Sequence, residues 1–412
     1  MYKIEIEDKS YLSKDRLEDI VDVDTIYIPL VINFSTNCKL LVKKGDKVKI
    51  KQVLATSEEL DFGIVSPVSG NIKEISECTY LDGRTVKCIV IEIKGKDKKY
   101  KEVDSIPDYT KEEFLEVLKT CGVTSMGGGN FPTYLKYEPL LSVLIVNAVE
   151  CEPYISSDYA LAKEKYKEII ETISSIIKIN NIRTCYIAIN KKHSDLISLY
   201  NEYVNNYSRI NIVSVNEFFP MGWEKILVKE ITGLSYNNLP QEKGVVVNSI
   251  STIYAMFEAL KYNKVVDRRI VTISGDRINN PTNAVLRIGT NIKDIYKKFD
   301  LKEEESIKLI AGGPMMGRAL PDNNLIVTPN LNSVLFIDDF DEKNISPCYR
   351  CGKCIEVCPV DIVPVLIKDN VSKNKDLKKL HPEKCIECGL CSYICPSNID
   401  VRSFVKKAKR SV

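Results

Sequence analysis

The sequence predicts a multidomain α/β chain, and three observations carry that reading. Short β-rich runs separated by turn signals fill the first hundred residues. From about Tyr109, apolar strand runs alternate with helical spacing. The last part of the chain holds a doubled cysteine motif. The chain has 412 residues, 44% hydrophobic and 28% charged, which is room for about three packed cores. Lys and Arg number 58 against 56 Asp and Glu, a net charge of +2, so the basic excess that nucleic acid requires is missing. No apolar stretch approaches the ~20 residues of a bilayer span; the nearest, Leu140 to Val149, is short and holds Ser142 and Asn147. The start, Met1 to Asp8, lacks the apolar core of a signal peptide. The chain is therefore expected in the cytoplasm, free or peripheral on the cytoplasmic face of a membrane.

The N-terminal unit, expected over 1–105, reads as strands at Thr25 to Ile28, Lys39 to Val42, Lys47 to Ile50, Gly70 to Ile75 and Cys88 to Ile93. Turns at Gly45-Asp46, Pro67, Ser69-Gly70 and Asp82-Gly83 separate them. Val42 to Val48 followed by Ser66 to Ile72 looks like the folded-over barrel-sandwich hybrid of lipoyl and biotinyl carrier domains. A carrier needs a modifiable lysine at an exposed hairpin tip, and none stands out, so a docking or cap module is expected. The second unit, 106–264, reads as strands at Val143 to Val146, Cys185 to Ile189, Ile210 to Val213 and Val245 to Val247. Helices are expected over Ala160 to Ile177, Ser194 to Asn205 and Ser251 to Lys261, giving a largely parallel sheet. The third, 265–337, reads as strands at Ile270 to Asp276 and Ala284 to Ile288, a short helix from Ile292 to Phe299, and a strand from Ile307 to Ile310 running into Gly312-Gly313-Pro314. That order suggests a β-grasp unit. The acidic stretch Asp338 to Glu342 leads into the last unit, 338–412.

Cysteine is the informative residue: 14 are present against His193 and His381 and a single Trp. In a large cytosolic chain disulfides are the wrong default, and so little histidine argues against a His-rich zinc site. Cys348-x2-Cys351-x2-Cys354-x3-Cys358-Pro359 recurs as Cys385-x2-Cys388-x2-Cys391-x3-Cys395-Pro396. Each is the run found in bacterial ferredoxins, where three close thiolates wrap one cube and the fourth starts a helix that reaches the other cube. One [4Fe–4S] cluster should thus take Cys348, Cys351, Cys354 and Cys395, and the second Cys385, Cys388, Cys391 and Cys358. Two structural zinc sites would use two C-x2-C pairs and leave the fourth cysteine and its proline unexplained. A matched pair of clusters is a one-electron wire. The other six cysteines show no metal spacing and read as buried apolar residues.

Between Gly122 and Pro132 the chain reads Gly-Val-Thr-Ser-Met-Gly-Gly-Gly-Asn-Phe-Pro. Three successive glycines let a backbone approach a planar or anionic ligand and offer clustered N–H donors, although a plain turn would also use them. Lys136 follows, in reach of a phosphate. Polar residues then cluster at expected strand ends: Asn147 to Tyr154, Phe219 to Lys225 and Asn248 to Thr252. The carboxyl ends of parallel strands are where open α/β sheets bind ligands.

These motifs, Gly-Gly-x-x-Phe-Pro-Thr…Lys, Asn-x-x-Glu-x-Glu-Pro, Gly-x-Glu-Lys and Val-Asn-x-x-x-Thr, resemble the FMN- and NADH-binding subunit of respiratory complex I. Taken whole, with Gly312 to Gly317 and the cysteine segment, the chain resembles the RnfC family of the Rnf electron transport complex. That family includes a soluble relative, the electron-transfer protein associated with proline reductase, to whose branch the short ending at Val412 points. The resemblance implies that Gly127, Gly128 and Gly129 cradle FMN and that Lys136 meets its phosphate. Asn147, Glu150 and Glu152 would line the isoalloxazine and nicotinamide side, and Gly222 and Glu224 would lie near NADH. Asn248, Ser249 and Thr252 would hold the phosphate or ribityl chain. It implies an NADH-dependent oxidoreductase or electron-transfer subunit in which electrons pass between NADH, by way of FMN, and two [4Fe–4S] clusters. The partner would be either Rnf membrane subunits or a soluble reductase such as proline reductase. No general acid or base is expected. One departure stands out: the family loop reads Gly-Gly-Ala-Gly-Phe-Pro, whereas Asn130 here brings a side chain to where the backbone hugs the cofactor. The alternative is a cluster-carrying adaptor that binds neither flavin nor NADH.

Overall fold

A computed structural model describes residues 17–20, 23–95, 100–299, 301, 307–320, 324–338, 344–371 and 377–412. The opening residues Met1 to Asp8 and most of the acidic stretch after Asp338 lie outside the described residues. The structure is mixed α/β, with a barrel-sandwich hybrid, a parallel α/β layer, a mixed sheet and a short helical segment in chain order.

The barrel-sandwich hybrid has two sheets. In one, Thr25–Pro29, Thr85–Ile93, Gly70–Thr79 and Lys47–Val48 lie side by side; in the other, Cys38–Leu40, Val53–Ser57 and Gly63–Val65. Their inner faces bury Ile26, Ile28, Leu54, Ile72, Ile89 and Ile91. The alternation along each strand makes this possible, because every second side chain points into the sandwich. Val53–Ser57 and Gly63–Val65 were not expected as strands. Both are short, and Gly63 and Ala55 are weak strand formers, so pairing rather than propensity makes them strands.

In the central layer four parallel strands run in the order Ile210–Val215, Thr184–Asn190, Val143–Ala148, Val245–Ser249. Their near-continuous apolar runs suit strands covered on both faces. Helices Lys111–Thr120, Tyr166–Ile179 and Ile250–Tyr262 supply much of the main core. The helix expected over Ala160 to Ile177 is two, Ser157–Glu164 and Tyr166–Ile179, broken at Lys165 with φ −111° and ψ 29°. The apolar period runs through the break, so spacing alone does not reveal it. Lys111–Thr120 begins on a Thr110/Glu113 capping box, and Glu224–Thr232 ends on left-handed Gly233.

Among the described residues the third unit supplies five strands rather than the three expected, and its sheet has a sixth from the N-terminal segment. The order is Leu17–Ile20, Thr282–Arg287, Arg268–Ser274, Ser333–Asp338, Ile307–Ala311, Arg318–Leu320. Leu17–Ile20 pairs parallel with Thr282–Arg287, so the N-terminal segment joins this sheet across the chain.

The last segment repeats its backbone as it repeats its cysteines. Arg350 and Glu387 have φ 54° and 59°, Asp361 and Asn398 have φ 55° and 53°, and Gly352 and Gly389 have φ 81° and 82°. The two glycines precede the one-turn helices Lys353–Glu356 and Leu390–Tyr393, where the left-handed backbone suits glycine. Pro364–Val371 and Val401–Lys409 complete the segment. No helix among the described residues is long and apolar enough to cross a membrane.

Candidate functional site

The repeated loops fold around two hollows. Cys348, Cys351, Cys354 and Cys395 line one. Cys358, Cys385, Cys388 and Cys391 line the other. Each cavity thus draws three thiols from one motif and the fourth from the other. Four tetrahedral thiolates on one zinc would stand about 3.8 Å apart, given a Zn–S bond of ~2.3 Å. Among the described residues no three His, Cys, Asp or Glu side chains gather closely enough to hold a single ion. Four thiols that share one hollow but stand too far apart for a single ion fit a cube instead. Burial pushes the Cys388 thiol up to about 11 and Cys391 to about 12, so thiolates here need a cationic core. Burial also raises Cys358, opposed by the N–H groups of Val360 and Ile362 that donate to its sulfur. The Glu387 N–H donates to Cys385 Sγ at 3.3 Å. These are the donor set and the N–H···S bonds an iron–sulfur cube uses.

The second site gathers at the carboxyl ends of neighbouring strands Val143–Ala148 and Val245–Ser249, where Asn147 and Ser249 are register partners. The glycine loop closes on itself through Ser125 N–H to Phe131 O at 2.7 Å and Asn130 N–H to Ser125 O at 3.2 Å. Its supports come from elsewhere in the chain. The Met126 N–H donates to Thr252 Oγ1 at 3.0 Å, and Asn330 Nδ2 to Gly128 O at 2.7 Å. The buried Arg269 guanidinium donates to Leu331 O at 3.0 Å and Met126 O at 3.4 Å. A Cβ on Gly127 would stand 3.1 Å from Ser249 Cβ, whereas one on Gly128 would meet nothing within 4 Å. Gly128 thus presents an open backbone face, while Gly127 packs its backbone against Ser249.

Asn130 does not crowd that face. It sits at φ 51° and is buried, with Oδ1 accepting from Thr124 Oγ1 at 2.7 Å. Its amide reaches towards Val31 O at 3.5 Å and lines a cavity with Pro29, Val31 and Tyr80 of the barrel-sandwich hybrid. Asparagine tolerates the left-handed backbone that the turn needs, and its side chain points away from the loop's open face, towards Thr124 and Val31.

Lys136 Nζ donates to Val247 O at 2.9 Å. Burial lowers its pKa, the nearby Glu224 charge opposes this, and among the described residues it makes no ion pair. Next to it, Asn248 Nδ2 donates to Tyr137 Oη at 2.6 Å, while the buried Asn248 Oδ1 has no partner. Ser249 caps helix Ile250–Tyr262, accepting from the Thr252 N–H at 3.3 Å. A half-buried ammonium, an orphaned carbonyl oxygen, a capped helix start and an open glycine backbone fit a phosphorylated, hydroxyl-rich cofactor.

The remaining candidates are held by backbone. Asn147 Nδ2 donates to Gly222 O at 2.8 Å and its Oδ1 accepts from Val149 N–H at 3.1 Å, tying the 219–223 loop to the strand end. Glu150, at φ 36°, accepts from the Asp158 and Tyr159 N–H groups at 3.0 and 2.9 Å and so caps Ser157–Glu164. Glu152 accepts from the Met315 and Met316 N–H groups at 2.9 and 2.8 Å. Burial pushes both carboxyls up to about 7, against those N–H donors. Glu224 Oε1 accepts from Tyr236 Oη at 3.0 Å.

Glu152 also marks a junction. Arg402 Nη1, from the last helix, donates to Met315 O at 2.9 Å. Phe219 and Met315 pack against Val357, Ile386, Cys388 and Leu390, with Cys151 and Trp223 alongside. The cavity of Cys385, Cys388 and Cys391 therefore abuts the nucleotide-type site, while Cys351 and Tyr349 beside the other cavity are exposed. Sequence reasoning missed Arg269, Asn330, Met316 and Arg402 as supports, because each acts through contacts more than a hundred residues away in the chain, or through backbone atoms.

Three family models match: the Nuo51 FMN-binding domain over residues 118–258, the RnfC barrel sandwich hybrid domain over 4–96, and the 4Fe-4S dicluster domain over 347–399. Among curated relatives, the chain is 29% identical to the C subunit of the proton-translocating ferredoxin:NAD(+) oxidoreductase complex of Clostridium ljungdahlii, over 90% of this chain and 83% of that one. It is 28% identical to the Na(+)-translocating counterpart of Acetobacterium woodii, over 85% and 82%. It is 31% identical to the C subunit of the ion-translocating oxidoreductase complex of Rhodobacter capsulatus, over 86% and 71%.

Proposed function

The chain belongs to the RnfC family of ion-translocating oxidoreductase complexes, with an FMN-binding domain and a 4Fe-4S dicluster domain, and we propose that it passes electrons between NADH and a partner protein. The observation that carries this is the half-buried Lys136 ammonium, without an ion pair among the described residues, beside the unpartnered Asn248 Oδ1 and the open Gly128 backbone. FMN bound there supplies the chemistry that exchanges electrons in pairs with a nicotinamide and singly with iron–sulfur clusters.

The chain's own residues hold and orient. Lys136, Ser249 and Thr252 serve the phosphate pole, and Asn248 Oδ1 accepts from a cofactor hydroxyl. Asn147 fixes the Gly222 loop, and Glu150 and Glu152 fix the backbone around the site. Cys348, Cys351, Cys354 and Cys395 hold one [4Fe–4S] cluster, and Cys358, Cys385, Cys388 and Cys391 the other. The second set packs against the FMN-binding domain through Met315 and Phe219. The relatives are named for ion-translocating complexes, so the partner we favour is a membrane-bound subunit of such a complex; a soluble reductase such as proline reductase is the other acceptor that the resemblance offers. The chain itself is then a peripheral component on the cytoplasmic side.

Cofactor analysis of anaerobically prepared protein tests this. One FMN and about eight iron and eight sulfide per chain support it. Complete clusters with no FMN, even after incubation with the free cofactor, would leave the adaptor reading in its place.

A further inference from the structure

An aromatic side chain from the barrel-sandwich hybrid stands at the edge of the glycine loop with no evident task in the fold. Ile32 and Ser35 exchange N–H···O bonds at 3.0 and 2.9 Å, closing a two-residue hairpin turn over Asn33 and Phe34. Both turn residues are left-handed, with φ 46° and 65°. That is the turn geometry in which Asn-Gly is favoured, since it asks for positive φ at both positions. Asparagine fits the first position. Phenylalanine at the second is a bulky residue in a region that disfavours it.

Phe34 is also 47% exposed, so its ring gains little from burial. Glycine would avoid both costs. The turn is nonetheless held firmly. Arg84 Nη2 donates to Phe34 O at 3.1 Å, and Ser35 Oγ donates to Glu59 Oε1 at 2.9 Å. Strained residues kept by their surroundings concentrate at ligand sites.

The ring's position supplies the second, independent observation. A Cβ on Gly129 would lie 3.7 Å from Phe34 Cε2 and 3.9 Å from Asn33 Oδ1. The phenyl edge therefore walls the Gly129 end of the loop, next to the open face of Gly128. Lys136, Asn248 and Ser249 lie at the other end, where Gly127 abuts Ser249; Asn248 is buried and Lys136 and Ser249 are half-buried, whereas Phe34 is exposed. A resident cofactor suits the more buried end. A ligand that comes and goes with each turnover suits the exposed rim.

We propose that Phe34 is a stacking platform for a ring of the pyridine dinucleotide, contributed by the N-terminal barrel-sandwich hybrid to the site on the FMN-binding domain. This rests on the reading of the glycine loop as the FMN and NADH site. It gives the N-terminal unit a direct part in dinucleotide binding, beyond that of a cap. The face of a heteroaromatic ring stacks on an aromatic side chain without needing a hydrogen-bond pattern.

The test uses the full chain, loaded with FMN and clusters and kept oxidised, titrated with NAD+ by calorimetry so that no turnover occurs. Phe34→Gly should weaken NAD+ binding by about tenfold or more, the effect of losing one stacked ring. FMN content, iron content and unfolding midpoint should be unchanged, or the midpoint raised, because glycine relieves the left-handed position. Phe34→Tyr should bind within about twofold of the parent protein, since the ring is kept. Unchanged NAD+ affinity in Phe34→Gly would overturn the proposal. So would loss of FMN ahead of NAD+ affinity, which would put the ring against the flavin, or a lowered unfolding midpoint, which would make its role structural. If the parent protein takes up FMN but no NAD+, the dinucleotide reading itself fails, and the proposal with it.

Discussion

Replacing Lys136 with alanine should separate flavin binding from the integrity of the fold. The Lys136 ammonium makes one hydrogen bond, to Val247 O at 2.9 Å, and no ion pair among the described residues. If it meets the FMN phosphate, that charge-assisted bond is worth ~1.5–3 kcal/mol, or about ten- to a hundredfold in affinity. The flavin-free protein should respond in the opposite sense. Burial holds the pKa of Lys136 below its ordinary value of 10.5, so the folded state binds this proton less tightly than the unfolded state does. The resulting penalty is fully present at any pH below the folded pKa and disappears above the unfolded one, so it is present at neutral pH. Alanine removes that penalty and one hydrogen bond of about 1 kcal/mol, leaving flavin-free stability unchanged or raised. Fluorescence titration with FMN, alongside thermal unfolding and iron analysis, reads all three quantities. Unchanged FMN affinity would refute the reasoning. So would a loss of FMN accompanied by a falling unfolding midpoint, which would mean that the lysine supports the fold and not the cofactor.

The grouping of thiols makes a second prediction. Cys358→Ser should damage the cluster held by Cys385, Cys388 and Cys391 and spare the one held by its own motif, read by electron paramagnetic resonance of the reduced protein. Arg269→Met should release the Met126 carbonyl and leave Glu150 and Asp158 without their buried counter-charge; a loss of ~3 kcal/mol in denaturant unfolding, with weaker FMN binding, is expected. Glu150 has its pKa raised to about 7 by burial, so its contribution to stability falls as pH rises from about 4.5 to 7. Glu150→Gln should flatten that part of the stability profile, with a difference of up to about 3 kcal/mol between its ends. Removing iron with a chelator should expose residues 344–412 to proteolysis before the rest. Apart from Cys358, among the described residues their main core buries only Ile362, Ile367, Val401, Val405 and Ala408.

Much of the architecture could be read from local pattern. Val143 to Val146 and Val245 to Val247 are continuous apolar runs, and a strand covered on both faces has little other way to look. Lys111–Thr120 was less visible. Lys-Glu-Glu-Phe-Leu-Glu-Val-Leu-Lys is rich in charge, and its apolar stripe of Phe114, Leu115, Val117 and Leu118 is confined to the middle of a short helix behind the Thr110/Glu113 capping box. The strand Leu17–Ile20 could not be assigned to the third sheet, because its partner Thr282–Arg287 lies more than 250 residues away. The site divides in the same way. Glycine spacing and strand ends drew attention to the loop, but the groups that pin it, Arg269 and Asn330, belong to another unit. Motifs name residues without giving the direction of their side chains: Glu150 and Glu152 end on backbone N–H groups, and Asn130 turns away from the loop's open face. Phe34 carries no motif at all. Only its left-handed backbone beside Gly129 marks it.

Electron transfer from NADH to the clusters is tested most directly by an anaerobic titration of the cofactor-loaded chain with NADH, followed by visible and paramagnetic resonance spectroscopy. Bleaching of the flavin band together with the appearance of reduced-cluster signals, at a stoichiometry set by one FMN and two clusters, is the expected result. Clusters that dithionite reduces but NADH leaves oxidised, in a protein whose FMN content is complete, would contradict it.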